Sequence, residues 1–472
     1  AAHDDYLYTP PITVTDGVND AVSFRFMNYS DVFIELIDLI VHETDGTETV
    51  IGDDVTTPGG VEFHSFVYDL SAYEGTEIRL SFHISTTNQE LALIDNIVVG
   101  AYSDMENGWA GYHYEDTSWS ETENWYSGNV PTGDVTISEV TDSAAHNPTI
   151  ESDISVTGLT IESNASLTIA KDGSVTITGD FTNSGTVTMN SAANEFSSLI
   201  VSGTATGDVT YNRYVNAEGL NEWDLVGSPV EGQSISDFVT DNSAVIATNG
   251  SFSAVGAYDN SDDSWENYSN TGAGWQAGDF ELGTGYQMAT TAGATMAFTG
   301  TIPSETTTIS ISNNHDNGGR RWNLVSNPYP SFVGANDDSD STDNFLTTNE
   351  AGIDSEYLAV YGWAADGTGY TEYGHDYNSD TAVYMAPGQG FMIAADGEVE
   401  GPEVSFAAEM QTVSGTNDFV QEGDVMDATE VYLRVYNGDA LIEDTHIKFQ
   451  DNMTLGLDPG YDLGNYYQDA AI

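Results

Sequence analysis

The phrase Trp223-Asp224-Leu225-Val226-Gly227-Ser228-Pro229 is echoed by Trp322-Asn323-Leu324-Val325-Ser326-Asn327-Pro328, at a constant offset of 99 residues. A second echo follows each copy. Gly285-Tyr286-Gln287-Met288 answers Gly390-Phe391-Met392-Ile393 at an offset of 105. Self-similarity on this scale marks tandem modules of about a hundred residues. Each opening phrase reads as a strand that ends before Pro229 or Pro328, because proline donates no ladder hydrogen bond and restrains the residue before it. Each tryptophan is expected to anchor a core.

Working outward, each module carries an aromatic hairpin with a tight acidic turn. The first runs from Tyr258 through Asp259 to Asp263 and on to Trp265, and the second from Trp363 through Asp366 to Tyr370. The glycines of the closing phrases suit positive φ or close backbone approach. The modules are assigned to 216–312 and 313–410. Upstream, 133–215 is a succession of short Val, Leu, Ile and Thr phrases punctuated by Gly, Asn and Asp, which predicts a small β-solenoid, with an ordinary sandwich as the alternative. Residues 103–132 form an aromatic connector. Within 1–102, Ala21–Met27 and Ile78–Ile84 alternate as half-buried strands, and Phe33–Val41 reads as a continuous buried one. Residues 411–472 begin a further β module. The expected fold is all-β: a string of β-sandwich or jelly-roll modules with a short β-solenoid-like segment.

Composition bounds the partners. The 472 residues carry 76 Asp and Glu against 8 Lys and Arg, a net charge of −68. Binding to nucleic acid or directly to anionic membrane needs Lys and Arg that the chain lacks. Acids are spread throughout: residues 1–102 hold 18 acids and 2 bases, and 216–312 hold 13 and none. This favours a whole-surface adaptation to high salt or a cation-rich exterior. No cysteine is present and no stretch approaches a membrane-spanning length.

Three phrases, Leu7 to Ile12, Tyr68 to Gly75 and Leu93 to Val99, resemble the choice-of-anchor J and cleaved-adhesin jelly rolls of secreted Bacteroidota proteins. The solenoid-like segment and the tandem Trp-x-Leu-Val-x-x-Pro modules resemble repeat regions of type IX secreted surface proteins of that group. The resemblance implies an extracellular, cell-surface location. It also implies a structural calcium near the last strand of the jelly roll, with Asp95 as ligand and Asn96 in place of a second acid; the alternative is that Asp95 ends a strand or caps a turn. It further implies a chain that starts partway into its first domain and stops inside its last.

Catalytic chemistry finds no constellation. The nine histidines lack zinc-ligand spacing, and neither a Gly-x-Ser-x-Gly elbow nor a phosphate-cradling glycine loop occurs. The acidic runs 259–263 and 336–344 could offer calcium oxygen ligands, but solvated loops fit them better. Trp265, Trp275 and Trp363 are candidates for stacking on glycans. Ser143, Ser341 and Thr381 match the short O-glycan acceptor pattern of the resembling group. The expectation is a non-enzymatic, secreted structural or adhesive cell-surface protein that assembles with copies of itself or other surface proteins. The alternative is a set of carbohydrate-binding accessory modules of a larger extracellular hydrolase.

Overall fold

The computed structural model describes residues 5–30, 32–60, 62–84, 91–111, 117–140, 146–218, 223–269, 271, 278–315, 319–363, 370–374, 382–415, 429–437 and 440–449, with backbone alone for 370–372 and 429–449. The chain is all-β, with 49% strand and 8% helix. Contacts divide it into two compact units, Ala1–Thr168 with Ile177–Val187 and Ile169–Thr176 with Thr188–Ile472. The division falls within a short β-solenoid of about three turns.

The first unit begins with a two-sheet sandwich. One sheet orders the strands Asp5–Tyr8, Glu77–Ile84, Ile37–Glu43 and Glu48–Val55, and the other places Ala21–Asn28 between His64–Asp69 and Ala92–Gly100. Val22, Phe24 and Phe26 from one sheet meet Leu39, Val41, Leu80 and Phe82 from the other in a dry core. The alternation expected of Ala21–Met27, with one wet face, is not what forms: seven of the eight residues of Ala21–Asn28 are buried. The short helix Tyr102–Glu106 packs against that strand and its neighbour, and Arg25 pairs with Glu123 at 3.0 Å. The connector therefore covers the face that would otherwise be wet. Its own core is three tryptophans in edge-on contact, Trp109 on Trp125 and Trp119 on Trp125.

The buried strand expected over Phe33–Val41 starts later, at Ile37. The Ser30 hydroxyl accepts the N–H groups of Val32 and Phe33, a local turn that competes with the ladder. Phe33 and Ile34 consequently stand exposed at 47% and 37%. In the solenoid part of this unit, Gly158–Ile161 pairs in parallel with Asp134–Ile137 on one side and Phe181–Asn183 on the other. Val135, Leu159 and Phe181 stack in one buried row, which is how short coils of Val, Leu and Thr bury a face that no single coil could bury alone.

The second unit holds the twin modules, and they share one topology. In the first, a sheet orders Asp224–Val226, Tyr286–Met288 and Phe252–Asp259, with Ser264–Ser269 on the outer side of the last. In the second, Trp322–Ser326, Gly390–Ala394, Ala359–Trp363 and Tyr370–Gly374 follow in the same order. A second strand pair closes each module: Asp208–Val215 with Ala294–Thr301, and Thr307–Ser310 with Glu403–Phe406. Along the chain, each module inserts a short helix between Asp224–Val226 and Phe252–Asp259, or between Trp322–Ser326 and Ala359–Trp363: Ile235–Asp241 and Phe345–Asn349. The equivalence extends to side chains. Phe238 lies 4.5 Å from Phe298 at 32°, and Phe345 lies 4.7 Å from Phe406 at 34°. Beyond the modules, Thr429–Asn437 and Ala440–Phe449 form an antiparallel hairpin.

Candidate functional site

The repeated phrases meet one another. Val226 bridges Gln389, and the equivalent Val325 bridges Thr284. The Gly227 N–H donates to the Gly388 carbonyl at 2.9 Å, and the equivalent Ser326 N–H donates to the Gly283 carbonyl at 2.7 Å. Each opening phrase thus docks on the closing phrase of the other module, as two copies would across a twofold axis. The glycines make this possible. Gly283 and Gly388, one offset apart, both have positive φ (80° and 66°). A Cβ on Gly390 would lie 2.7 Å from the Leu225 carbonyl carbon, and one on Gly285 would lie 2.7 Å from Leu324 Cγ. Arg213 braces the docking turn, donating to the Pro387 carbonyl at 2.8 Å and to Gln389 Oε1 at 3.3 Å while its guanidinium sits over Phe196.

The two tryptophans have different surroundings. Trp322 is 3% exposed, not in its module's own core but in a cluster with Leu225, Leu324, Tyr361 and Met392. Tyr361 and Tyr357 meet it edge-on at 4.7 and 5.7 Å. Trp223 is half-buried and lines a cleft of about 120 Å³ with Phe252, Ala254, Asn249, Asn267 and Glu218. Ladder register explains the contrast. Tyr361 pairs with Met392 in the second module, and the corresponding pair in the first is Gly256 with Gln287. Ring and thioether are replaced by a hydrogen atom and an amide, and Gln287 Nε2 donates to Asn267 Oδ1 at 2.9 Å. Next to Trp223, Asn216 donates through its backbone N–H and its side chain to the two oxygens of Asp224, both at 2.7 Å.

Of the glycan-stacking candidates, Trp265 and Trp363 are partly buried against the cluster that holds Trp322, Trp265 also lying 5.0 Å from Tyr258. Neither lines the Trp223 cleft, and Trp275 lies outside the described residues. Ser341 is exposed in a turn, whereas Ser143 and Thr381 lie outside the described residues.

Asp95 is exposed, its Oδ1 accepting the N–H of Asn96, which holds φ at 49°. Among the described residues, the carboxylates gathered within 4.8 Å of one another are those of Asp38, Asp53 and Asp54 on the other sheet. Calcium takes six to eight oxygens, so Asp95 and Asn96 could supply only part of a shell. The acidic turn 259–263 is engaged within the protein: Asp263 pairs with Arg320 of the second module at 3.0 Å, and hydrogen bonds from Ser261 hold the Asp259 carboxyl below its usual range. In the 336–344 loop, hydrogen bonds from Asp343 and Thr342 do the same for Asp340. Burial pushes the Tyr286 and Tyr329 phenols up to about 12, so both stay neutral at ordinary pH.

The sequence held an unread signal. Phe238-Val239-Thr240-Asp241-Asn242 is repeated as Phe345-Leu346-Thr347-Thr348-Asn349 at an offset of 107. Its asparagines perform one task twice. Asn242 bonds the Phe238 and Ala297 carbonyls and the Ala297 N–H, and Asn349 does the same to Phe345 and Ser405.

The profile of one protein family, described as a domain of unknown function (DUF8693), matches residues 108–471. No curated protein matches the chain.

Proposed function

We propose, for a chain that belongs to the DUF8693 family over residues 108–471, a non-catalytic role as a secreted structural or adhesive protein of the cell surface. One observation carries the reading. The most distinctive sequence in the chain, the twin phrases, docks module on module through Val226, Gly227, Val325 and Ser326, so the repetition of that part of the phrase answers to architecture. The net charge of −68 suits a salt-rich or cation-rich exterior, where screening shortens the reach of self-repulsion. The resemblance to type IX secreted proteins supports an extracellular location, and calcium in this reading is a structural ion of the first sandwich.

The test is sedimentation of the purified chain across a wide concentration range in molar salt, with and without calcium, joined to surface labelling of intact source cells. Concentration-dependent assembly and labelled protein are expected. A monomer at every concentration, with protein found only inside cells, would sink the reading. The second reading, accessory carbohydrate-binding modules of a larger extracellular hydrolase, draws on the open cleft beside Trp223. Retention on insoluble polysaccharide would favour it.

A further inference from the structure

We propose that the cleft beside Trp223 binds a single neutral sugar ring. This goes beyond the scaffold reading and does not depend on it, because the cleft lies within one module whether or not chains assemble.

The duplication supplies an internal control. At the second-module position the tryptophan is closed off by Tyr361 and Tyr357. At the first-module position register places Gly256 where Tyr361 stands and Gln287 where Met392 stands. If Trp223 served only to fill space, a glycine and an amide beside it would leave apolar surface wet and amides half-enclosed. Each of those costs stability, and the sister module shows the apolar alternative within the same fold. The first module instead keeps its indole partly exposed and surrounds it with groups of mixed hydrogen-bonding character.

That mixture matches a pyranose. The ring's C–H face packs on an indole, while its hydroxyls each need a donor and an acceptor. Trp223, Phe252 and Ala254 supply the apolar side; Asn267, Asn249 and Glu218 supply amides and a carboxylate. Gln287 donates to Asn267 Oδ1, which fixes that amide and leaves its NH₂ to donate to a hydroxyl. The Asp224 clamp holds the backbone beside the indole, so the platform is set before a ligand arrives. A volume of about 120 Å³ is well below the roughly 300–1,000 Å³ of drug-sized pockets, so the cleft itself has room for one ring at most. Charge selects among sugars. No Lys or Arg lines the cleft and residues 216–312 contain none, so no cation at the cleft pairs with a uronate or sulfate, and Glu218 repels both.

The experiment uses the whole chain at a concentration where it is monomeric, so that failure here and failure of the scaffold reading are separate results. Saturation-transfer NMR and tryptophan fluorescence would be recorded with the methyl glycosides of glucose, galactose, mannose and N-acetylglucosamine. The methyl glycoside of glucuronic acid and a neutral Leu-Phe dipeptide complete the set. The expected result is saturable, millimolar binding of at least one neutral glycoside and none of the uronate. Trp223→Ala should weaken binding about tenfold or more and Trp223→Phe by much less, since stacking contributes on the order of one factor of ten. Asn267→Ala, checked like the others by circular dichroism, gives an independent reading if Trp223→Ala fails to fold. The proposal is overturned if no neutral glycoside binds, if folded Trp223→Ala or Asn267→Ala binds as the wild type does, or if the uronate or the dipeptide binds better than every neutral sugar.

Discussion

At the residue scale, Asp20 shows how a carboxylate is used as a structural acceptor in a chain crowded with acids. It is 5% exposed and receives the N–H of Gly17 at 2.8 Å and that of Tyr102 at 2.7 Å. It thereby ties the start of the Ala21–Asn28 strand to the helix that covers it. These bonds favour the charged form and hold the Asp20 carboxyl below its usual range, the Gly17 contact contributing most. A depressed carboxyl pKa stabilises the fold above the unfolded value near 3.9, and that contribution is lost as pH falls through the folded value. General acidification also relieves repulsion among the other acids, so the wild-type curve alone mixes two opposing effects. The difference in melting temperature between wild type and Asp20→Asn isolates the first. It should be largest above about pH 4 and shrink on further acidification; a difference independent of pH from 2 to 6 would contradict the role. At neutral pH the loss should be about 1–3 kcal/mol, the usual effect of orphaning a buried polar group.

At the scale of elements, the twin asparagines are the sharpest case. Asn242 and Asn349 each close a helix and hold the final strand of their module, so the two substitutions to Ala should cost alike, about 2–3 kcal/mol each. Denaturant titration would check this, and a change in one module only would argue that the copies are built differently. This pair also shows what was legible in advance. Strands with a clear alternation, such as Ile78–Ile84, and the Gly- and Asn-punctuated coils of 133–215 announce themselves, because pleat and turn chemistry are local properties. The helices Ile235–Asp241 and Phe345–Asn349 do not. They are too short for a helical period, and their signal lay in the Phe-x-Thr-x-Asn repeat. Phe33 failed for a related reason: its apolarity suggested a strand, while the Ser30 hydroxyl had already turned the backbone aside. The cleft was hidden altogether, since only the strand register reveals that Gly256 and Tyr361 are equivalent.

At the scale of the molecule, two properties govern behaviour. One is charge. With a net −68, raising NaCl from about 0.1 M to 1 M shortens the screening length from about 10 Å to about 3 Å. The melting temperature should rise by several degrees, at roughly 2–4 °C per kcal/mol of relieved repulsion; calorimetry showing a flat or falling trend would remove the surface-adaptation account. The other property is the mutual docking of the modules, on which the scaffold reading rests. Hydrogen exchange of the intact chain carrying Gly390→Ala tests it most directly, since the added Cβ would press on the Leu225 backbone of the first module. The account predicts that amides of Asp224–Val226 and Tyr286–Met288 exchange about tenfold faster or more, the factor given by about 1.4 kcal/mol, together with those of Trp322–Ser326, while Gly158–Ile161 in the solenoid is unchanged. Faster exchange confined to the second module, with the first as protected as before, would contradict it.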